Sequence, residues 1–231
     1  TQQNPVDLSI ISICNWAYEL MNFVPITAFN TILFNKLMVY IATERVQSTD
    51  ISGGIYLCDF EIGLEDHTLI FHHTVFEGNV NKIIYGHVQD ISSIFFSTSA
   101  GKIYKNETLI YNLDIDIDIL GITVKSNDIN SLAFVTNKFD SHGTHHSEYV
   151  WDNKLGKIDL NTNITTIIDL NYNFTKCCLY INDYIVIGHS KGIIAELNGI
   201  IKDVSPETIP NTIVHDMVYD AIDNILCIST G

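Results

Sequence analysis

The chain has 231 residues, of which 46% are hydrophobic and 17% are charged. This balance excludes a disordered polypeptide, because the chain can bury a substantial core. The formal net charge of −15 argues against direct nucleic-acid binding, since an acidic surface repels phosphate groups.

Apolar strands recur along the chain, and several of them run into a short polar turn that ends in glycine. The first such pair is KLMVYIATE and the strand that begins GIYLCDF, after a turn that ends at Gly54. Similar hairpins are predicted around Gly101, Gly156 and Gly192. Tight turns need positive φ, which glycine adopts without a Cβ clash. The pattern therefore predicts four related hairpins.

A further strand is predicted before each of these hairpins. In chain order these strands are VPITAFN, GNVNKIIYG, INSLAFVTN and FTKCCLYIN. The segment IVHDMVYDAIDNILCISTG begins the same pattern a fifth time. The average interval between the turn glycines lies within the ~40–50 residues of a four-stranded propeller blade. No long amphipathic helix is visible, although NWAYELMNF would allow two turns, so we predict an all-β propeller.

The predicted domain organisation follows from the same repeat. Residues 1–231 are expected to form a single β-propeller domain with about four blades and part of a fifth. A strand left unpaired inside a hairpin at Gly231 indicates an incomplete chain, because natural domains protect such edges. A seven-bladed propeller is expected when the chain is complete.

This layout resembles a degenerate WD-repeat β-propeller over essentially the whole chain. Members of that family carry Gly-His early in a repeat and Trp-Asp late; here Gly86-His87 and Trp151-Asp152 each occur once. Gly188-His189 lies on a predicted strand, so the His–Asp network of the family is assigned to no blade. The resemblance implies a rigid, non-enzymatic scaffold for protein–protein interactions within a larger complex.

The last part of the chain also resembles, loosely, propellers that hydrolyse the methyl ester of diphthine-modified elongation factor two. Asp220-Ala221-Ile222-Asp223 stands where that family has Gly-Ala-Asp-Trp. The resemblance implies a hydrolase as the alternative function. The residues that match are His189, Gly192, His215, Asp216 and Tyr219.

The segment Phe139 to Tyr149 concentrates potential metal ligands. Imidazole and carboxylate groups bind zinc or nickel, but this segment lacks a fixed spacing such as H-E-x-x-H. A solvated insertion is therefore favoured over a metal site, which stays the alternative. The ligand types present there are Asp140, His142, His145, His146 and Glu148.

Two further patterns are interpreted structurally. In DIDIDIL, Asp114, Asp116 and Asp118 share one strand face and could hold Ca²⁺, but an exposed outer strand protected by charge is favoured. Ser190-Lys191-Gly192 is interpreted as a turn, because a phosphate loop requires a following helix.

The cysteines indicate a reducing compartment, since they are odd in number, scattered and without a CxxC pair. No basic leader and no apolar run of ~18 residues is present, so an intracellular, cytoplasmic or nuclear protein without membrane insertion is expected. Cys177 and Cys178 should point to opposite faces of a strand. The five cysteines are Cys14, Cys58, Cys177, Cys178 and Cys227.

The sequence therefore predicts a scaffold subunit with no catalytic, cofactor-binding or metal-binding residues. Its partners are expected to be proteins, with a basic surface that complements the negative charge of the chain.

Overall fold

The computed structural model describes residues 24–33, 36–44, 54–62, 67–77, 80–88, 91–98, 101–113, 117–137, 153–172, 174–207 and 212–231. All regular structure in these ranges is β-strand. None of these ranges contains a helix long and apolar enough to cross a membrane. The predicted strand-or-helix segment 15–23 and the histidine-rich segment 139–149 lie outside the described residues.

The first compact unit, residues 1–83, contains a four-stranded antiparallel sheet whose strands pair in chain order. VPITAFN forms part of the first strand and Gly54 begins the third, as the sequence predicts. The strands are β1 (Val24–Leu33), β2 (Lys36–Glu44), β3 (Gly54–Ile62) and β4 (His67–Glu77).

The second unit, residues 84–231, begins within strand β5. It contains three further four-stranded antiparallel sheets in chain order and a final two-stranded hairpin. The first sheet comprises β5 (Val80–Val88), β6 (Ile91–Thr98), β7 (Lys102–Lys105) and β8 (Thr108–Asn112). The second comprises β9 (Asp118–Lys125), β10 (Asp128–Asn137), β11 (Asn153–Asp159) and β12 (Ile164–Leu170). The third comprises β13 (Cys177–Ile181), β14 (Tyr184–His189), β15 (Gly192–Leu197) and β16 (Ile200–Asp203), and the hairpin comprises β17 (Val214–Asp220) and β18 (Ile225–Thr230).

The first strands of the last two four-stranded sheets and of the final hairpin lie next to one another. Strand β9 contacts β13, and β13 contacts β17. A Cβ on Gly121 of β9 would lie 2.9 Å from the Cys177 Cα of β13, so glycine permits this close approach. The fourth strands β8, β12 and β16 are largely exposed. Inner first strands and outer fourth strands are the arrangement of propeller blades.

Apolar layers fill the spaces between these sheets. One layer joins Ala133, Val135 and Leu155 of the β9–β12 sheet to Ile185 and Ile187 of the next sheet. Another joins the opposite face of that next sheet to the β17–β18 hairpin. Cys178 belongs to the former layer and Cys177 to the latter, which confirms that the two thiols point to opposite faces.

Asparagine provides the positive φ of most tight turns in the second unit. The φ angles are 53° at Asn106, 57° at Asn163, 56° at Asn182, 52° at Asn198 and 56° at Asn224. Asparagine tolerates this left-handed conformation better than most residues. Gly101 and Gly192 also have positive φ, as predicted for turn glycines.

The prediction for the third hairpin is wrong in its strand assignment. Gly156 lies in the middle of β11 rather than in a turn, and INSLAFVTN is part of the second strand β10 rather than the first. The physical reason is that the Phe134 ring of β10 occupies the space that a Cβ on Gly156 would need. The glycine here makes room for an aromatic ring instead of a turn.

The prediction for DIDIDIL as an outer strand is also wrong where the structure describes it. Asp118 begins β9, which is an inner strand, and Ile117 and Ile119 are buried. The alternation itself is confirmed for these residues, because Asp118 is only half-buried. Asp114 and Asp116 lie outside the described residues.

Candidate interaction surface

His189 lies at the end of β14 and is only 3% exposed. Its Nδ1 accepts a hydrogen bond of 3.2 Å from the Lys191 backbone N–H, so the neutral ring carries its proton on Nε2. The ring contacts Tyr172, with 4.7 Å between the centroids, and Nε2 is buried without a hydrogen-bond partner. Burial lowers the pKa of His189; Lys191 lowers it further and Asp203 opposes the shift. The imidazole is therefore a neutral packing group.

His215 lies on β17 and is exposed. Its Nδ1 is 3.2 Å from Lys176 Nζ, which also lies 4.9 Å from the centroid of the Phe174 ring. Phe174 has a φ of 60°, an unusual conformation for a bulky residue. The ammonium group can donate to the imidazole and face the aromatic ring at the same time.

His189 and His215 are separated by the β13–β16 sheet. His189 shares a strand face with Ile185 and Ile187, which pack towards the β9–β12 sheet. The adjacent Gly188 faces the other way, where a Cβ would lie 2.6 Å from Val214 of β17. The two imidazoles therefore do not converge on one substrate position.

The other residues of the hydrolase resemblance have local structural roles. Asp216 Oδ1 accepts from the Met217 backbone N–H at 3.0 Å, and Tyr219 Oη donates to Asn224 Oδ1 at 2.6 Å. Gly192 takes a φ of 137° in the turn between β14 and β15. That turn connects two strands, which confirms that Ser190-Lys191-Gly192 is not a phosphate loop.

The predicted metal-binding histidines His142, His145 and His146 lie outside the described residues, as do Trp151-Asp152. Within the described ranges, no group of three potential metal ligands occurs. His72 and His73 lie on β4, where the pairing with β3 shifts register between Leu57 and Cys58.

Two ion pairs join the β9–β12 and β13–β16 sheets. Lys157 Nζ lies 2.7 Å from Glu196 Oε1, and the Glu196 side chain is buried. The same carboxylate oxygen accepts from the Gly199 backbone N–H at 2.6 Å. The second pair, Lys125 and Asp183, is 2.6 Å apart and open to solvent. Sequence reasoning missed both pairs, because partners 39 and 58 residues apart give no local signal.

Tyr180 on β13 lies beside this buried carboxylate. Burial raises the pKa of Tyr180 to about 12, with further contributions from Cys178, Glu196 and Asp128. The phenol therefore stays protonated at physiological pH. The Tyr180 backbone N–H donates to Thr123 Oγ1 of the neighbouring sheet at 3.1 Å. These contacts tie the inner strands of the two sheets together.

The β17–β18 hairpin exposes apolar side chains on one face. Val218 pairs with Cys227 and Asp220 pairs with Ile225, so Val218, Cys227 and Ile225 share that face. Val218 is 64% exposed, Ile225 is 52% exposed and Ile222 at the turn is 94% exposed. We name Val218, Ile222, Ile225 and Cys227 the hairpin face.

The opposite side of the same hairpin is packed. Met217 is buried, and Leu226 and Ile228 pack with it against the β13–β16 sheet. One side of the hairpin therefore anchors it to the propeller, and the other presents apolar surface. Contiguous exposed apolar groups are typical of protein-binding surfaces.

No protein-family model matches the chain. No curated protein matches it by sequence. Solved structures do match. A chain of the nidogen/laminin complex, a YWTD-type β-propeller, has a TM-score of 0.55 and 10% identity, over 84% of this chain and 67% of that chain. The WD40 domain of Neurospora crassa Pan2 has a TM-score of 0.48 and 11% identity, over 83% of this chain and 56% of that chain.

The nidogen match is a likeness of fold alone, given its low identity. Together with the sheet topology it establishes an all-β propeller of four-stranded antiparallel sheets.

Proposed function

We propose that this chain is a non-enzymatic β-propeller scaffold that binds a protein partner within a larger assembly. The hairpin face carries the proposal: among the residues that the structure describes, nothing covers Val218, Ile222 and Ile225, and the other side of their hairpin is anchored. A rigid scaffold that presents such a surface is suited to binding, because little conformational entropy is lost on association. We propose that residues 1–231 belong to one propeller domain.

The charge of the chain indicates the kind of partner. A net charge of −15 favours association with a basic protein surface and disfavours an acidic one. Asp216 and Asp220 lie on the same side of β17 as Val218, so carboxylates border the apolar groups. We propose a partner that combines apolar contacts with lysine or arginine at the rim.

The hydrolase alternative depends on His189 and His215 acting together. The burial of His189 and its position across the sheet from His215 argue against a shared site. We therefore retain the scaffold as the proposed function and treat ester hydrolysis as an outcome that the experiments must be able to detect.

The proposal is tested by isolating the native protein from its source at moderate ionic strength. The proteins that co-purify are identified, and their molar ratio to this chain is measured. A stoichiometric basic partner is expected, and its binding to the purified chain should weaken at least tenfold on Val218→Asp. Ile200→Asp, at an exposed apolar position of strand β16, is the matched control because it adds the same single negative charge. Elution of the native protein as a single chain would overturn the proposal.

Methanol release from methylated diphthine-containing elongation factor two measures the alternative directly. Catalysis by the chain that is lost on His215→Ala would contradict the non-enzymatic function. No release above background is expected.

A further inference from the structure

Strand β12 is the outer edge of its sheet, and no strand in the described part of the chain pairs with its free side. It has seven residues, ITTIIDL, of which five are Ile or Thr. Its pairing with β11 runs over all seven residues without a register shift. Such long, regular and weakly charged edges can pair with an additional strand.

The other two outer strands of the second unit are protected. Strand β8 has five residues, and its pairing with β7 shifts register between Ile103 and Tyr104. Strand β16 has four residues, two of which are Lys202 and Asp203. Bulges, short length and charge are the features that prevent edge pairing in natural sheets. Strand β12 is longer than both, has no register shift, and carries a single charged residue.

The only charge on β12 is Asp169, whose carboxylate lies 3.0 Å from Lys154 Nζ on the neighbouring strand. Ile164 is 61% exposed and Ile167 is 41% exposed. Because successive side chains alternate, these two isoleucines lie on opposite faces of the sheet at its edge. An added strand would therefore meet an apolar side chain on each face.

The hydrogen-bond directions along this edge follow from the inner part of the sheet. The backbone N–H groups of Leu160 and Lys154 donate towards β10, to Asn130 O and Thr136 Oγ1. Alternate residues of a strand direct their backbone groups to opposite sides, so the odd-numbered residues of β11 bond to β12. Their partners there are Ile164, Thr166, Ile168 and Leu170.

The remaining residues Thr165, Ile167 and Asp169 therefore direct their N–H and C=O groups away from the sheet. A peptide in extended conformation could bond to all three. Side chains of its alternate residues would contact Ile164 on one face and Ile167 on the other.

Acidic groups near each end of β12 indicate the charge that such a peptide would carry at its two ends. Asp159, at the β11 end of the turn, accepts hydrogen bonds from the backbone N–H groups of Asn161 and Thr162. A hydrogen bond from the Thr162 side chain, together with these backbone bonds, lowers the pKa of Asp159, so its carboxylate is anionic at neutral pH. Asp169 is near the other end of the strand.

We propose that β12 binds an extended peptide segment of a partner protein by strand addition, and that the segment has alternating β-branched residues between basic ends. The basic ends complement Asp159, Asp169 and the overall charge of −15. This inference rests on the proposed interaction function and adds a second surface and its ligand chemistry.

The test uses the purified chain and a fluorescein-labelled peptide, acetyl-KKVTVTVKK-amide, in fluorescence anisotropy titrations. Saturable binding is expected. The same peptide with all valine and threonine amides N-methylated should bind at least tenfold more weakly, because neither edge of the peptide can then donate a full set of backbone bonds to β12. Replacement of its lysines by glutamate should also weaken binding. Equal binding of the N-methylated peptide, or no binding by the unmodified one, would overturn the proposal.

Variants of Ile167 separate the backbone contribution from that of the side chain. Ile167→Pro removes an outward N–H without breaking a bond to β11, and should weaken binding roughly tenfold. Ile167→Ala retains the N–H and should weaken binding by about threefold or less. Equal affinity of Ile167→Pro and the unsubstituted chain would contradict strand addition.

Hydrogen exchange on the unsubstituted chain gives a readout that does not require a variant to fold. The amides of Thr165, Ile167 and Asp169 should exchange more slowly when the peptide is bound, and unchanged exchange would overturn the proposal. Val218→Asp should leave peptide binding unchanged. Failure at β12 would therefore leave the test of the hairpin face intact, and failure at the hairpin face would leave this one intact.

Discussion

The β9–β12 and β13–β16 sheets have the same strand order but use glycine for different purposes. Gly156 lies in the middle of β11, under the ring of Phe134. Gly192 lies where the chain turns into β15, with a φ of 137°. In sequence both appear as a glycine that precedes isoleucine by one or two residues. The comparison shows that a glycine required by a turn and a glycine required by a neighbouring side chain can have the same local sequence. Only the packing distinguishes them.

Substitution of the two glycines by alanine should give the largest effects and distinguish their roles. Gly156→Ala should lower the free energy of unfolding by about 3 kcal/mol, because Phe134 must move inside a packed layer. Gly192→Ala should lower it by about 2 kcal/mol, because alanine is strained at this φ and meets Ser205. Urea unfolding monitored by circular dichroism measures both values.

Second substitutions provide the control. Phe134→Leu should recover part of the loss in Gly156→Ala, since the added methyl group then has room. Ser205→Ala should recover little in Gly192→Ala, because the backbone strain persists. Equal recovery at both sites would show that the two glycines serve the same purpose.

The two ion pairs between these sheets should differ in a similar way. Lys157→Met leaves the buried Glu196 carboxylate with only the Gly199 N–H, and should cost about 2 kcal/mol of unfolding free energy. Lys125→Met, which removes the solvent-exposed partner of Asp183, should cost about 0.5 kcal/mol or less. Thermal unfolding of the two variants measures the difference, and equal melting temperatures would contradict the importance of burial.

The smallest expected effect is a pH dependence that comes from the β13–β16 sheet. Because the pKa of His189 is lowered in the folded chain, the unfolded chain binds a proton more readily. The stabilising contribution of His189 is therefore complete above a pH of about 6.5 and is lost as the pH falls from there through the folded pKa. Urea unfolding between pH 7.5 and pH 5 measures the slope.

His189→Phe removes the titrating group and should flatten this slope. His215→Phe is the matched control, since that ring is exposed. An unchanged slope in His189→Phe would show that other groups produce the pH dependence.

Much of the fold could be predicted from the sequence because strand and turn signals are local. The structure confirms the strand VPITAFN, the pairing of β2 with the strand that begins at Gly54, the hairpins at Gly101 and Gly192, and the two strands between Val214 and Thr230. The glycine pattern does not predict the turns whose positive φ comes from asparagine. Asparagine directly before a β-branched residue, as at Asn163 and Asn224, is the signal in the sequence that marks such turns.

The candidate surfaces could not be predicted in the same way. The exposure of Val218 and the outward backbone groups of Ile167 depend on which strands become edges. That depends on packing between sheets, as does the burial of Glu196 against Lys157. The loose resemblance that includes His189 and His215 also gives no information on their positions in space, and the sheet between them could not be predicted from it.

The chain-order pairing of strands within every sheet has a consequence for how the protein acquires its structure. Each described sheet is a meander in which strands adjacent in the sequence pair, so it has low contact order for a β protein. Individual sheets can therefore form early, as local cooperative units during synthesis. The layer around Leu155 and Ile187 joins two sheets, so it must be completed afterwards. Variants in that layer should accelerate unfolding more than they slow folding.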